Sequence, residues 1–304
     1  MRVRRLAVVG LVSLDRVDGG PPRLGGAPFY AARALRFLGY PSVVATKVAG
    51  DGPALGLQAL GVPVVYRPAS RTISFRIDYT GEARRLVLEE PGDPFTPDDV
   101  RGWLAAALVG ADWVHAGALT RTDFPVETLA ALRRGRRLSF DGQGLVRPTR
   151  KGEIVPDAEY DPAVLRQVDV LKLGEEEVNA LGLGLDERSL GSLGVPEVVV
   201  SLGSRGGVVY ADGLAEHVPT RPLEGVDPTG AGDEFIAAYL SYRRHGHGPP
   251  SAARCANDAV RALLERSHRR RPGDYNRNSP RATTTAEPPT STRSIRSGVP
   301  SARA

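Results

Sequence analysis

Gly225-Val-Asp-Pro-Thr-Gly-Ala-Gly-Asp-Glu-Phe235 is a glycine-rich turn that runs straight into an apolar stretch, Phe235-Ile-Ala-Ala-Tyr-Leu240. The small residues Gly230, Ala231 and Gly232 allow a tight turn whose N–H groups converge on one spot. The helix that follows adds the positive end of its dipole there. Such a turn is an anion hole, and Asp233 puts a carboxylate beside it. That pairing suits phosphoryl transfer to a hydroxyl, with a base for the hydroxyl proton and fixed donors for the transferring group. Taken alone, the same residues read as a helix cap and an ordinary turn, so the reading depends on what surrounds them.

Upstream, strand and helix signals alternate. Leu6-Ala-Val-Val-Gly-Leu-Val12 is a continuous apolar run of the kind that buried parallel strands show. A helical pattern covers residues 27–38 and stops at Gly39, and 43–48 reads as a strand. Residues 113–115, 138–140, 168–172 and 198–201 repeat the rhythm. Alternating β and α units imply a mostly parallel sheet covered on both faces, with ligands at the strands' C-terminal ends. Asp15, Asp141, Gly174, Ser201 and the Asp233 turn fall at or just after such ends, so one cleft could gather them. Residues 72–79 and 85–89 alternate in period two around Thr80-Gly81, which predicts a hairpin appended to the core, with one wetter face.

In this α/β setting, Asp227, Thr229, Gly230, Ala231, Gly232, Asp233 and Phe235 resemble the C-terminal signature of the ribokinase-like (PfkB) carbohydrate kinases. Gly25-Gly-Ala-Pro-Phe-Tyr-Ala-Ala32 resembles that family's Gly-Gly segment leading into a helix. Lys172-Leu-Gly-Glu-Glu-Glu177 is similar to its Asn-x-x-Glu motif, and Ser201-Leu-Gly-Ser-Arg-Gly206 to its nucleotide loop. The resemblance spans about residues 5–265. It implies a ribokinase-like three-layer α/β fold with a mostly parallel central sheet and a small β lid, about 15–24 and 72–89, on a kinase domain of residues 1–266.

The resemblance also implies the roles. Asp233 is the base, and the amides of Gly230, Ala231 and Gly232 hold the phosphoryl group. Asp15, Gly25 and Gly26 position the acceptor. Ser201, Gly203, Gly206, Asp227, Thr229 and Asn257 face ATP, and Glu177 organises Mg²⁺ through water; a monovalent cation near the signature loop is common in such kinases. Three features point to the inositol-kinase-like branch. Asp141-Gly-Gln-Gly-Leu-Val-Arg147 resembles its Asp-x-Gln-x-x-x-Arg stretch, making Gln143 and Arg147 candidate acceptor contacts. Tyr30 stands where the family often has Asn, and Gly174 stands for the Asn of Asn-x-x-Glu. The favoured substrate is thus a sugar or cyclitol like myo-inositol. Other acceptors (ribose, a hexose, a nucleoside) and a non-catalytic binding protein on the same fold stay open.

Composition excludes several classes. The 304 residues are 41% hydrophobic and 25% charged, which is ordinary for a globular protein. No P-loop and no Gly-x-Gly-x-x-Gly after the first strand is present. A single cysteine, Cys255, allows no internal disulfide and fits a cytoplasmic setting. The five histidines show no metal-ligand spacing. No apolar run is long enough to predict a membrane span. The net charge of +5 does not predict nucleic-acid binding: residues 266–304 hold nine Arg against Asp274 and Glu287, leaving −2 for residues 1–265. Residues 267–304 lack apolar periodicity and are expected to be a disordered tail, one explanation being an out-of-frame end. Monomer and homodimer are both compatible with the sequence.

Overall fold

The computed structural model describes residues 5–50, 52–80, 83–223 and 225–269. Strand β1 (Arg5–Gly10) is the apolar run read from the sequence, and Leu6, Ala7, Val8 and Val9 are fully buried. Its side chains alternate between two cores. Ala7 and Val9 join one with Val43, Val114, Leu138, Leu171 and Val198; Leu6 and Val8 join the other with Val44, Val170 and Val199. A strand buried on both faces needs no polar side, which is why its sequence reads as continuous rather than alternating.

The other strands of this sheet are β4 (Ser42–Val48), β5 (Val64–Pro68), β8 (Ala111–Gly117), β9 (Arg137–Asp141), β11 (Val170–Gly174), β12 (Glu197–Ser201), β13 (Gly207–Ala211) and β14 (Leu214–Val218). The order is β14-β13-β12-β11-β9-β8-β1-β4-β5. Seven strands, from β12 to β5, run parallel, and β13 and β14 close one edge as an antiparallel pair. Helices α1 (Ala27–Phe37), α9 (Ala231–Arg244) and α10 (Pro249–Arg269) cover one face. On the other lie α4 (Trp103–Leu108) and α5 (Val126–Arg133), with α7 (Glu175–Ala180) and α8 (Glu187–Gly191). Helix α10 runs three residues past the expected limit of the folded part at 266. The predicted tail beyond it, 270–304, lies outside the described residues.

The predicted hairpin is β6 (Ser74–Thr80) and β7 (Ala83–Glu90); its turn, residues 81–82, lies outside the described residues. It belongs to a second sheet, ordered β10-β7-β6-β2-β3, with β2 (Ser13–Val17), β3 (Arg23–Gly25) and β10 (Gly152–Glu153). Phe75, Ile77, Leu86 and Leu88 turn its apolar side to the core, as period-two alternation requires. One expectation changes here, and one strand is new. Asp15 is not the last residue of the first core strand; it lies inside β2, paired with Arg23 and Phe75. Strand β10, too short to carry a periodic signal, was not foreseen.

The main sheet reverses its winding between β1 and β8, the place where open α/β sheets form a crevice at their C-terminal ends. Gly10 and Gly117, which end these strands, are packed so closely that a Cβ on Gly10 would lie 2.7 Å from the Gly117 carbonyl oxygen. A Cβ on Gly117 would overlap Ala27, the first residue of α1. Bare backbone at both strand ends thus lets the start of α1 drop into the crevice.

Candidate active site

Helix α9 starts at the signature turn. Its N-cap, Gly230, adopts the left-handed conformation (φ 80°, ψ 0°), and the Ala231 N–H closes back onto Pro228 O at 3.0 Å. Asp227 Oδ1 accepts the Thr229 N–H at 3.0 Å and fixes the approach. First-turn amides of a helix lack intrahelical acceptors, so this end offers donors to an anion. The Tyr30 ring from α1 covers Gly230 so closely that any Cβ there would overlap it. Gly230→Ala therefore combines a left-handed backbone cost of about 1–3 kcal/mol with a collision against Tyr30. A lowered melting temperature and a collapse of turnover are expected; wild-type values in thermal denaturation and steady-state rates would contradict the tight packing.

Asp233 follows in the first turn of α9 and is buried. Close enough to act on its charge are buried Asp141 at the end of β9, Lys172 in β11, and Arg147 after the short helix α6 (Gln143–Val146), with Glu177 of α7 beside Lys172. Lys172 Nζ is 3.5 Å from Asp141 Oδ2, and a Cβ on Gly232 would lie 3.1 Å from the same amine, so the ammonium sits beneath the anion turn. Arg147 donates to Gln143 Oε1 at 2.6 Å and stands 3.7 Å from Glu177 Oε1. The Gln143 N–H donates to Asp141 Oδ1 at 3.1 Å.

The charges explain the titration. Burial, reinforced by the Asp141 charge and only partly offset by Lys172 and Arg147, pushes Asp233 up to about 7. Burial likewise lifts Asp15 to about 6, against the Ser13 hydrogen bond and the charges of Arg84 and Arg147. Burial opposes the Lys172 charge, but Asp141, Glu177 and Asp233 outweigh it and hold the amine above the usual lysine range. Glu177 is also opposed by burial, yet Lys172 and Arg147 hold it below the usual carboxylate range. A buried carboxylate near 7 beside convergent donors and a fixed cation can take a proton from a hydroxyl at neutral pH.

The other sequence candidates fall into three groups. In the small sheet, the Asp15 carboxylate rests on Gly25: a Cβ there would collide with it and lie 2.7 Å from Ser13 Oγ. Asp15 Oδ1 is buried without a hydrogen-bond partner among the described residues, an acceptor facing no donor of the protein. Gly26, at φ 81°, caps α1 where a side chain would strike Leu11 O. In the second group, the Gly174 N–H donates to the Glu177 carboxylate, and Ser201 Oγ donates to Leu173 O at 3.3 Å, joining β11 and β12 next to Glu177. In the third, Gly203 and Gly206 both take positive φ, and Gly206 packs on Val218 and Pro219. Asn257 Nδ2 donates to Pro219 O at 3.4 Å, so Asn257 and Gly206 meet the same short segment. Among the described residues no hydrogen bond or ion pair joins this third group to Asp233.

Sequence reasoning missed Lys172, Asp141 as a partner of Asp233, and the contact of Tyr30 with Gly230. A signal for Lys172 was present: a lysine within an apolar parallel strand, Val170-Leu-Lys-Leu-Gly174, has to find buried carboxylates.

The description "pfkB family carbohydrate kinase" matches residues 15–271. The chain belongs to this family. The kinase is 26% identical to the cytidine kinase of Thermococcus kodakarensis over 286 residues, covering 86% of this chain and 96% of that protein. It is 28% identical to the fructokinase of Klebsiella pneumoniae, over 78% of this chain and 83% of that one. Among solved structures, a pyrophosphate-dependent kinase in the ribokinase family, complexed with a pyrophosphate analog and myo-inositol, has a TM-score of 0.74 at 27% identity, covering 86% of this chain and 95% of that one. The fold of this kinase is therefore ribokinase-like, and its activity is phosphoryl transfer to a hydroxyl of a sugar, nucleoside or cyclitol. Among its described residues no helix is long and apolar enough to cross a membrane.

Proposed function

We propose that this kinase phosphorylates a hydroxyl of a compact polyol, a cyclitol such as myo-inositol being favoured, with Asp233 as general base. The observation that carries the reading is the buried Asp233 carboxylate, held near neutrality in the first turn of α9 beside the Gly230 and Gly232 amides, the Ala231 amide being taken by Pro228 O. The acceptor oxygen attacks the terminal phosphorus of the donor as its proton passes to Asp233. The bond to the leaving phosphate oxygen breaks, and that oxygen departs as an anion. The signature amides and the Lys172 ammonium stabilise the charge on the transferring group. Asp15, Gly25, Gly26, Gln143 and Arg147 hold the acceptor, and the small sheet keeps water out. Ser201, Gly203, Gly206, Asp227, Thr229 and Asn257 form the donor side.

ATP is the favoured donor. Inorganic pyrophosphate is the second reading, supported by the pyrophosphate-dependent relative and by the Lys172 charge beneath the anion turn, which serves any phosphoanhydride without a nucleoside. Among the described residues no cluster of three His, Cys, Asp or Glu could hold a metal, and both Glu177 oxygens face protein donors. These residues fit a Mg²⁺ that arrives on the donor phosphates and meets Glu177 through water. There it would neutralise charge on the leaving phosphate.

A panel of myo-inositol, ribose, hexoses and nucleosides, each with Mg-ATP or Mg-pyrophosphate, tests the proposal through product formation. Turnover of myo-inositol above the other acceptors is expected. Preference for a hexose or nucleoside would move the substrate class, and turnover only with pyrophosphate would replace ATP.

A further inference from the structure

We infer that Tyr30 sets the acceptor range of this kinase, its ring forming a fixed wall that admits a compact ring and turns away acceptors with a bulky substituent. The inference rests on the acceptor site proposed above and deepens it. Tyr30 lies in the first turn of α1, four residues after Gly26, and its ring lies flush on Gly230 of the anion turn. It therefore occupies the ground between the helix that starts at the acceptor glycines and the turn that would hold the phosphoryl group.

The ring is not free to swing away. Phe29 meets it edge-on at 5.1 Å between centroids, and the Arg33 guanidinium lies 5.8 Å from its centre. Arg33 is itself anchored, with Nη1 3.4 Å from Glu234 Oε1, a fully buried carboxylate in α9, and Nη2 donating to Ser267 Oγ of α10 at 2.9 Å. Three helices thus fix one aromatic wall. Burial and the charges of Asp15, Asp233 and Asp227 push its phenol above the usual tyrosine range, so its hydroxyl stays an O–H donor. An Asn at this position would be shorter by most of a ring and would leave that volume to the ligand.

A rigid wall acts on fit rather than on proton transfer. Tyr30→Ala and Tyr30→Asn should therefore change which acceptor binds, chiefly through KM. The test measures Kd by calorimetry, and KM and kcat in parallel, for myo-inositol, fructose and cytidine on wild type, Tyr30→Phe, Tyr30→Ala and Tyr30→Asn. In the two truncated variants the affinity ratio of cytidine to myo-inositol should rise at least about tenfold, the scale for a change of pocket shape. Tyr30→Phe should weaken every acceptor by about two- to tenfold through the lost hydroxyl, yet keep the wild-type order. An unchanged ratio in folded Tyr30→Ala or Tyr30→Asn overturns the inference, as does a wild type that binds none of the three. Binding without turnover would instead sink the kinase reading, and the Kd ratios would still decide the role of Tyr30. If both truncations fail to fold, Tyr30→Leu supplies the smaller wall, and a wild-type ratio there counts against the inference.

Discussion

Asp233→Asn is expected to lower kcat by about 10²–10⁴, the range for loss of a general base, and to stabilise the protein at alkaline pH. The second effect follows from the direction of the shift. The folded carboxylate holds its proton up to about 7, whereas an ordinary aspartate has lost it near 3.8. Between those values the unfolded chain releases a proton that the folded chain keeps, so stability falls as pH rises, and the whole penalty is present above about 7. Asparagine does not ionise and escapes it. The melting temperature of the variant should exceed that of wild type at pH 8, by roughly 2–4 °C for each kcal/mol relieved, and the gap should close near pH 4. Wild-type kcat/KM should climb with pH through about 7, and the residual rate of the variant should lack that limb. Near-normal turnover would remove Asp233 from the reaction. A melting temperature below wild type at pH 8 would show that its carboxylate is not the crowded charge described here.

Lys172→Met should be comparably damaging, for the opposite reason. Lys172 is the ammonium set among Asp141, Glu177 and Asp233. Methionine matches its length but leaves those carboxylates facing one another in a buried site. Removing one partner of a buried charge cluster costs about 3–5 kcal/mol. The loss should be largest near pH 8 and shrink as the pH falls through about 7, where Asp233 takes up its proton. Turnover should fall by about 10²–10³, the scale for one donor to a developing anion. Lys172→Arg should not restore it, because a planar guanidinium cannot occupy the space of a compact ammonium under the Gly232 backbone. Wild-type melting curves and rates for Lys172→Met would remove the amine from both roles.

Much of the fold was legible because its cues are local. Apolar runs such as that of β1, stops such as Gly39, and the alternation in β6 and β7 each depend on a few neighbouring residues. Membership of β2, β3 and β10 in the small sheet was less legible. These strands are five, three and two residues long, and their partners are set by the tertiary fold. The same division holds at the site. The signature turn announces itself by composition, and the Asp141–Gln143–Arg147 spacing survives as one connected network. The Lys172–Asp141 pair spans 31 positions, and no window of sequence contains its geometry. Tyr30 could be noticed only as a substitution; that its ring would lie on Gly230 is a matter of how α1 meets α9.

The winding of the main sheet has a consequence for how this enzyme comes into being. Its first strand, β1, ends up flanked by β4 and by β8, which starts at Ala111. Tyr30 waits for Gly230, 200 positions later. As the chain leaves the ribosome, N-terminal parts emerge seconds before the partners that complete them. Half of the central strand stays uncovered until β8 arrives, and the charge cluster lacks Asp233 until the start of α9 is made. A nascent chain therefore cannot complete this cluster until nearly all of its described length exists, and the long wait for distant partners favours slow maturation over rapid local folding.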